Sequence, residues 1–200
     1  MRQEEKKMTS LLTDFISKYI ELEDKEKELI HSLNIFYPHK KGDVLLKENQ
    51  KSNQSYFVLK GCIRQYYNVE GNEKTTAFYT ELEGVTPTCA LTGKPSEYYL
   101  SCVEDSILLI STPEMETEVF EKFPKFEKLC RMLSEENLTK QKIDFDLFKI
   151  YSPEERYQNL IHQRPDLIQR IPQHQLASFL GIKPQSLSRI KARILEKNRK

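Results

Sequence analysis

The sequence predicts an α+β protein: an N-terminal antiparallel β-roll, a long helix and a C-terminal helix-turn-helix. Three observations predict this class. Short β-rich runs, each closed by turn residues, follow one another from residue 35 to residue 110. An apolar helical periodicity begins after Pro124, and two short helical patterns meet at a glycine within residues 171–194. Regularly spaced short strands are typical of rolls and barrels, and paired helical patterns joined by a glycine are typical of a helix-turn-helix.

Composition places the 200-residue chain among ordinary globular proteins, with 38% hydrophobic and 30% charged residues. The net charge is only +1, so affinity for nucleic acid would require a local concentration of basic residues. No apolar run reaches the roughly 18 residues of a membrane helix. The first residues mix both charges and show no signal-peptide pattern, so we expect a cytoplasmic protein with no membrane partner.

Catalytic and metal-binding motifs are missing from the sequence. The four cysteines are widely spaced and form no CxxC pair, and the four histidines form no HxxxH or HExxH motif. There is also no GxSxG motif and no phosphate-binding glycine loop. The sequence therefore predicts no metal, no cofactor and no enzymatic activity.

The first half of the chain is predicted to pass from helices to strands. Two helices are expected between about Thr9 and Leu33, with Asp24 capping the second. Strands are expected at residues 35–37, 44–47, 56–59, 62–69, 73–80, 100–103 and 107–110, with a short helix and loops between 81 and 99. In the run 62–69, period-two alternation predicts one face that is buried and one that is exposed. The buried set is Ile63, Tyr67 and Val69, and the exposed set is Arg64, Asn68 and Glu70.

The second half is predicted to be helical. Helix starts are marked at Ser111-Thr112-Pro113-Glu114, with a Ser/Thr cap and a proline in the first turn, and at Ser152-Pro153-Glu154-Glu155, which repeats this pattern. A short strand or extended link is expected at residues 167–171. The helix after Pro124 should have some 25 residues and span nearly 40 Å, which is longer than one small roll can cover. Part of its apolar stripe is therefore expected to face another subunit, with a seam formed by Phe126, Leu129, Leu133 and Leu147; the alternative is packing within one chain.

The last predicted element is the helix-turn-helix. Leu176, Ala177 and Leu180 form the apolar side of its first helix. Gly181 permits the sharp turn, and Pro184 suits the first position of the second helix. In that second helix, at about 184–196, the buried stripe is expected to be Leu187, Ile190 and Ile194.

The opposite face of the second helix carries side chains suited to DNA. Gln185, Ser186 and Arg189 can reach base edges. Four cations are expected to contact phosphate, namely Lys183, Lys191, Arg193 and Lys197. From residue 183 to residue 200 there are seven Lys and Arg against one acid, a net charge of +6. The alternative is a generic antiparallel helix pair with a solvated basic tail.

The order of these elements resembles the cyclic-AMP receptor/FNR (Crp/Fnr) superfamily of bacterial transcription regulators. The segments that carry the resemblance are KKGDVLLKENQ (40–50), YFVLKGCIRQYY (56–67), SPEERY and LASFLGIKPQSLSRI. The resemblance implies a cyclic-nucleotide-binding-like jelly-roll sensor at 1–112, a dimerisation helix at 113–150 and a DNA-binding domain at 151–200. It also implies a homodimer on a roughly palindromic site in double-stranded DNA, with RNA polymerase as a further partner.

The sensor segment departs from the family pattern. Relatives that bind a cyclic nucleotide use a Gly-Glu pair and then an Arg-Ser or Arg-Thr to hold the phosphate. Here Gly84-Val85-Thr86-Pro87 and Pro95-Ser96 stand in those places, and no arginine occurs between Arg64 and Arg131. We therefore expect no binding of cyclic AMP. An unidentified small-molecule effector would be expected near Tyr67, Phe78 and Tyr98, although aromatic residues in strands are also ordinary core residues.

A second function fits the same residues. The chain could be a ligand-binding β-roll whose helical tail mediates protein contacts without sequence-specific DNA binding. Selective retention of DNA at physiological salt would separate the two.

Overall fold

The computed structural model describes residues 2–32 and 36–197. Helices α1 (Arg2–Ile16) and α2 (Asp24–Ser32) come first. The strands follow as β1 (Phe36–His39), β2 (Val44–Leu46), β3 (Ser55–Lys60), β4 (Ile63–Val69), β5 (Asn72–Tyr79), β6 (Gly84–Val85), β7 (Tyr99–Cys102) and β8 (Ser106–Ser111), with helix α3 (Thr88–Thr92) between β6 and β7. The chain then continues as α4 (Pro113–Lys122), α5 (Lys125–Ile150), α6 (Pro153–Gln163), α7 (Pro165–Arg170), α8 (Gln173–Phe179) and α9 (Pro184–Lys197). The predicted helix end at Leu33 and the predicted strand start at residue 35 lie outside the described residues.

The strands form the predicted antiparallel roll. Among the residues that the structure describes, they build two four-stranded sheets with the orders β1-β8-β3-β6 and β2-β7-β4-β5. β3 pairs antiparallel with β8, with Phe57 opposite Leu109. Val58, Leu100 and Leu108 are fully buried, as expected for strands that line one core. The fold class predicted from the sequence is confirmed.

The corner between β3 and β4 requires a glycine. Gly61 has φ +98°, a conformation that side chains with a Cβ rarely adopt. A Cβ at this position would clash with Ser106 Oγ and would lie only 2.8 Å from Ser106 Cα. Gly42, at another turn, has a similar φ of +89°, but a Cβ added there would meet nothing within 4 Å. The two turns therefore differ in packing and not in backbone conformation.

We expect Gly61→Ala to lower the free energy of unfolding by at least about 2 kcal/mol, because it adds a steric clash to backbone strain. Gly42→Ala should lower the free energy of unfolding by only about 1 kcal/mol, because it adds backbone strain without a steric clash. Urea unfolding of both variants and the unchanged protein measures these losses. Equal losses in the two variants would show that the contact with Ser106 is unimportant.

The N-terminal helices complete the core beside the roll. Met8, Leu12 and Ile16 of α1 pack in one cluster with Leu59 of β3. Phe126 and Leu129, at the start of α5, are buried in this same cluster, and Leu133 packs against it. Phe126 and Leu129 are therefore core residues of the chain itself and cannot also line a seam between two copies. The apolar periodicity of α5 correctly predicts that these positions are buried, but they face the core that contains α1 and α2.

A buried ion pair joins the start of α5 to the preceding helices. Lys125 Nζ lies 2.6 Å from Glu26 Oε2 and donates to the carbonyl oxygen of Glu21 at 2.8 Å. The backbone N–H of Glu23 donates to Glu26 Oε2 at 2.7 Å. Burial alone would raise the pKa of Glu26, but the hydrogen bonds from Lys125 and Glu23 outweigh it and hold the pKa below its ordinary value.

Lys125→Met should lower the free energy of unfolding at pH 7 by about 1–3 kcal/mol, since it leaves a buried carboxylate without its cation. Because the pKa of Glu26 is lowered in the folded state, the pair stabilises the protein above the ordinary pKa of a glutamate, about 4.3. That stabilisation is lost as the pH falls through the lowered pKa. The loss of unfolding free energy caused by Lys125→Met should therefore be smaller at acidic pH than at pH 7.

Urea unfolding at pH 7 and at about pH 4 tests this expectation, with exposed Lys128→Met in the same helix as the matched control. A loss that is independent of pH, or an equal loss in the control, would contradict it.

Residues 165–170 are helical, so the predicted strand or extended link at 167–171 is wrong. Pro165 occupies the start of α7, and Asp166 supplies an acid in its first turn. Both favour the beginning of a helix. Leu167 is buried, so the short helix contributes one apolar anchor to the C-terminal core.

The predicted alternation in β4 is also wrong at two positions. Arg64 was expected on the exposed face but is only 3% exposed, and Val69 was expected inside but is 49% exposed. Burial in β4 falls steadily from its first residues to its last ones. In this strand, position along the chain therefore decides burial more than the side to which a residue points.

Two compact units divide the described residues. The first contains the residues up to Gln65 together with Phe78–Glu135, and the second contains Tyr66–Ala77 together with the residues from Glu136 onward. The domain boundaries predicted at residues 112 and 150 stay predictions of the sequence. No helix within 2–32 and 36–197 is long and apolar enough to cross a membrane.

Candidate nucleic-acid interface

Helices α8 and α9 form the predicted helix-turn-helix in the second unit. Leu176 and Ala177 of α8 are buried, as are Leu187 and Ile190 of α9. Gly181, between the helices, has φ +72°. The backbone N–H of residue 182 donates to the carbonyl oxygen of Ala177 at 3.0 Å, which closes the end of α8. Apolar contact and a left-handed glycine thus set the angle between the two helices.

Sequence reasoning missed the clamp that holds this turn. Arg156 of α6 donates from Nη1 to the carbonyl oxygen of Leu180 at 3.2 Å. Its guanidinium lies 3.8 Å from the ring centroid of Phe148 in α5. A Cβ on Gly181 would lie 3.1 Å from that ring, so the glycine also permits close approach. The capping pattern of the sequence placed Arg156 in a helix, but nothing in it indicated a partner 24 residues later.

A capping box fixes the start of α6. Ser152 Oγ accepts from the backbone N–H of Glu155, and Glu155 Oε2 accepts from the backbone N–H of Ser152 at 2.8 Å. Hydrogen bonds from the side chain and the backbone N–H of Ser152 to the Glu155 carboxylate lower the pKa of Glu155. The predicted helix start at Ser152-Pro153 is confirmed, and it holds Glu154 in the first turn of α6.

The outer face of α9 carries the three residues predicted to read bases. Gln185, Ser186 and Arg189 are exposed, while Leu187 and Ile190 lie on the buried side of the same helix. A helix with buried apolar residues on one side and long polar side chains on the other can enter a major groove. The structure places the three side chains where they can reach a partner, and their contact with bases stays a prediction.

The four predicted phosphate contacts have different surroundings. Lys183 is exposed just before α9. Lys191 is half-buried, and its Nζ donates to Gln173 Oε1 at 2.7 Å and lies 5.8 Å from the ring centroid of Tyr157. Burial lowers the pKa of Lys191. Lys191 therefore links α9 to α8 within the protein.

Arg193 and Lys197 share one acid. Arg193 Nη2 lies 3.1 Å from Glu154 Oε2, and Lys197 Nζ lies 2.9 Å from Glu154 Oε1. The hydrogen bond from Lys197, with the charge of Arg193, holds the pKa of Glu154 below its ordinary value. Each carboxylate oxygen of Glu154 thus has its own cation on α9.

A serine of α8 binds the β4–β5 hairpin inside the second unit. Ser178 Oγ accepts from the backbone N–H of Thr75 at 2.9 Å and donates to the carbonyl oxygen of Glu73 at 3.0 Å. β5 is an edge strand, so its outer backbone groups can accept such a partner. No sequence signal indicated this contact.

Part of the sequence matches a known family model, and the structure is similar to several solved structures. Residues 38–122 match the family model of the cyclic nucleotide-binding domain. FixK2 from Bradyrhizobium japonicum is similar in structure, with a TM-score of 0.66, 12% identity and coverage of 82% of this chain and 85% of that one. A CooA variant from Carboxydothermus hydrogenoformans has a TM-score of 0.65, 16% identity and coverage of 81% and 76%. No curated protein matches the sequence.

A third similar structure is CLP of Xanthomonas campestris, described as a c-di-GMP-responsive global regulator that links cell-cell signalling to virulence gene expression. Its TM-score is 0.61 at 12% identity, with coverage of 82% of this chain and 87% of that one. FixK2, CooA and CLP are all Crp/Fnr regulators. The chain has the Crp/Fnr fold. The resemblance drawn from the sequence is thereby confirmed at the level of the fold.

Within this Crp/Fnr fold, the residues predicted for an effector pocket are partly structural. Phe78 and Tyr98 are buried in the first unit. The hydroxyl of Tyr98 accepts from the backbone N–H of Thr88 at 3.0 Å and so supports the start of α3. Tyr67 belongs to the second unit and is half-buried. A pocket formed by these residues stays a prediction.

Proposed function

We propose that the chain is a DNA-binding transcriptional regulator that acts as a homodimer on a roughly palindromic site. The observation that carries this proposal is the exposed outer face of α9, where Gln185, Ser186 and Arg189 stand opposite the buried Leu187 and Ile190. The Crp/Fnr fold, shared with a protein described as a global regulator of gene expression, supports it.

Each of the three side chains has a chemical role in base recognition. The guanidinium of Arg189 can donate two hydrogen bonds to O6 and N7 of one guanine. Gln185 can donate to and accept from an adenine in the same groove, and the hydroxyl of Ser186 can do either. All three lie in the first half of α9, the part of a recognition helix that usually meets base edges.

Phosphate contacts would then orient the helix on the duplex. We propose Lys183 for this role first, because it is exposed immediately before α9. Lys191, Arg193 and Lys197 would contribute only by exchanging their present partners, Gln173 and Glu154, for phosphate oxygens. RNA polymerase is the protein partner on which such a regulator would act.

The dimer is proposed to form along the second half of α5. Ile143 and Ile150 are 53% and 74% exposed, and half-buried Leu147 lies between them. Their spacing of four and three residues is the repeat with which two helices pair. Since Phe126 and Leu129 are buried in the chain's own core, the seam is proposed at residues 143–150, where Leu147 keeps its predicted place.

The sensor is proposed not to bind cyclic AMP. Lys94 is the cation nearest the family's phosphate position in the sequence, and it is exposed. Glu97, three residues later, is also exposed and would repel a phosphate. In β6, Val85 follows Gly84 where relatives that bind a cyclic nucleotide place an acid. Any effector would therefore be of another chemical class.

Selection of duplexes from a random pool at physiological salt tests the function. We expect one roughly palindromic sequence to be enriched, and the same sequence with and without added cyclic AMP. Arg189→Ala should then cost about 1–3 kcal/mol on the selected site and relax the preference at one base pair in each half-site. If Arg189→Ala weakened binding to all duplexes equally, Arg189 would not be a base-reading residue. If the selection enriched no sequence, the alternative function would be favoured, a ligand-binding β-roll that contacts proteins.

Acidic substitutions at the proposed dimer seam, residues 143–150, test whether this surface pairs two copies of the chain. Ile143→Asp combined with Ile150→Asp should convert a dimer into a monomer, since four carboxylates would be buried at the interface. Sedimentation equilibrium measures the mass, and Leu91→Asp, at an equally exposed apolar position in α3, is the control that should leave the dimer intact. A monomeric unchanged protein would contradict the dimer, and a dimeric double variant would contradict this seam.

A further inference from the structure

One acid offsets part of the positive charge in the C-terminal half of α9. Arg193 and Lys197 stand one turn apart on α9, and both reach the carboxylate of Glu154 in α6. We propose that Glu154 is an electrostatic brake on DNA binding, which holds these two cations away from phosphate. This inference rests on the proposed function and adds a residue that regulates its strength.

Glu154 is the least exposed of the three side chains that form these ion pairs. The side chain of Glu154 is 23% exposed, whereas those of Arg193 and Lys197 are 59% and 67% exposed. Glu154 lies in the first turn of a capped helix, where the helix dipole favours a negative charge. The two cations are long, flexible side chains at the surface. A phosphate can therefore approach them, but it must compete with a carboxylate that is already in place.

The charge balance predicts the effect on binding. Two cations with one carboxylate present a net charge of +1 to the duplex, where the cations alone would present +2. Each phosphate neutralised by a protein cation releases condensed counterions, and this release dominates non-specific affinity. The lowered pKa of Glu154 keeps its carboxylate ionised at neutral pH, so the brake acts under ordinary binding conditions.

The brake is separate from base reading. Gln185, Ser186 and Arg189 lie in the first half of α9, and the ion pairs with Glu154 involve only its second half. Removing the carboxylate should therefore strengthen phosphate contacts to any duplex, whatever its sequence. This separates a failure of the brake from a failure of the proposed function.

Glu154→Gln tests the brake because it removes the charge and keeps the shape. The probe is a random-sequence duplex titrated at several salt concentrations. We expect affinity to rise roughly three- to tenfold, and the slope of log K against log salt to steepen by about 1–2, the change for one or two added phosphate contacts. Asp144→Asn, which makes the same charge change at an exposed position of α5, should show neither effect.

A variant that lacks both cations shows whether the gain in affinity depends on them. In a protein that also carries Arg193→Gln and Lys197→Gln, the gain from Glu154→Gln should disappear. Unchanged or weaker binding by Glu154→Gln alone would overturn the brake, since weaker binding would mean that Glu154 presents the cations to phosphate. An equal gain in affinity for Asp144→Asn would show that the effect comes only from the net charge of the protein, and it would also overturn the brake.

The remaining outcomes also decide between the proposals. If Glu154→Gln unfolds, the brake predicts that Arg193→Gln with Lys197→Gln loses less affinity than Lys183→Gln, and the opposite order overturns it. If the unchanged protein binds duplex and Glu154→Gln behaves identically, the brake alone fails. If the unchanged protein binds no duplex, the proposed function fails and the brake fails with it.

Discussion

The burial of one side of α9 against α8 is the constraint on which the functional surface depends. Helix α9 contacts α8, and Leu187 and Ile190 of α9 are buried, as are Leu176 and Ala177 of α8. A helix anchored by two residues one turn apart cannot rotate about its axis without exposing them. The outer side chains of α9 therefore have a fixed direction. The clamp of Arg156 on the carbonyl oxygen of Leu180 fixes the turn itself.

Helix α5 shows how one continuous element can serve two purposes. Its first turns supply Phe126 and Leu129 to the core with α1 and α2, anchored by the pair of Lys125 with Glu26. Its later turns leave Ile143 and Ile150 exposed, an arrangement that gains stability only when a partner covers them. Of the 26 residues of α5, only Phe126, Leu129 and Leu133 in its first turns belong to this cluster or pack against it. The surplus length is what makes a second copy the natural partner in the proposed function.

Charge on α9 depends on its neighbours as much as on its composition. The segment is strongly basic in sequence, yet Lys191 is bound to Gln173, while Arg193 and Lys197 are bound to Glu154. A count of lysines and arginines in the sequence therefore overstates the positive charge that α9 would present to a DNA duplex. An acid from another helix can tune electrostatic binding without altering the residues that read bases, because the two functions occupy successive turns of the same helix.

The order of strands and helices and the cap at Ser152 could be predicted from the sequence, because each depends on residues that are close in the chain. The turn at Gly181 was also predicted, but the close approach of this glycine to Phe148 was not. The sequence-based prediction was wrong for α7, although Pro165 and Asp166 favour a helix start, and for Arg64, whose burial follows its place near the start of β4. The partners of the long polar side chains follow from the three-dimensional fold. Glu154 and Lys197 are 43 residues apart, and Ser178 meets an amide 103 residues away. Such contacts follow from the packing of helices, and no periodicity or spacing in the chain encodes them.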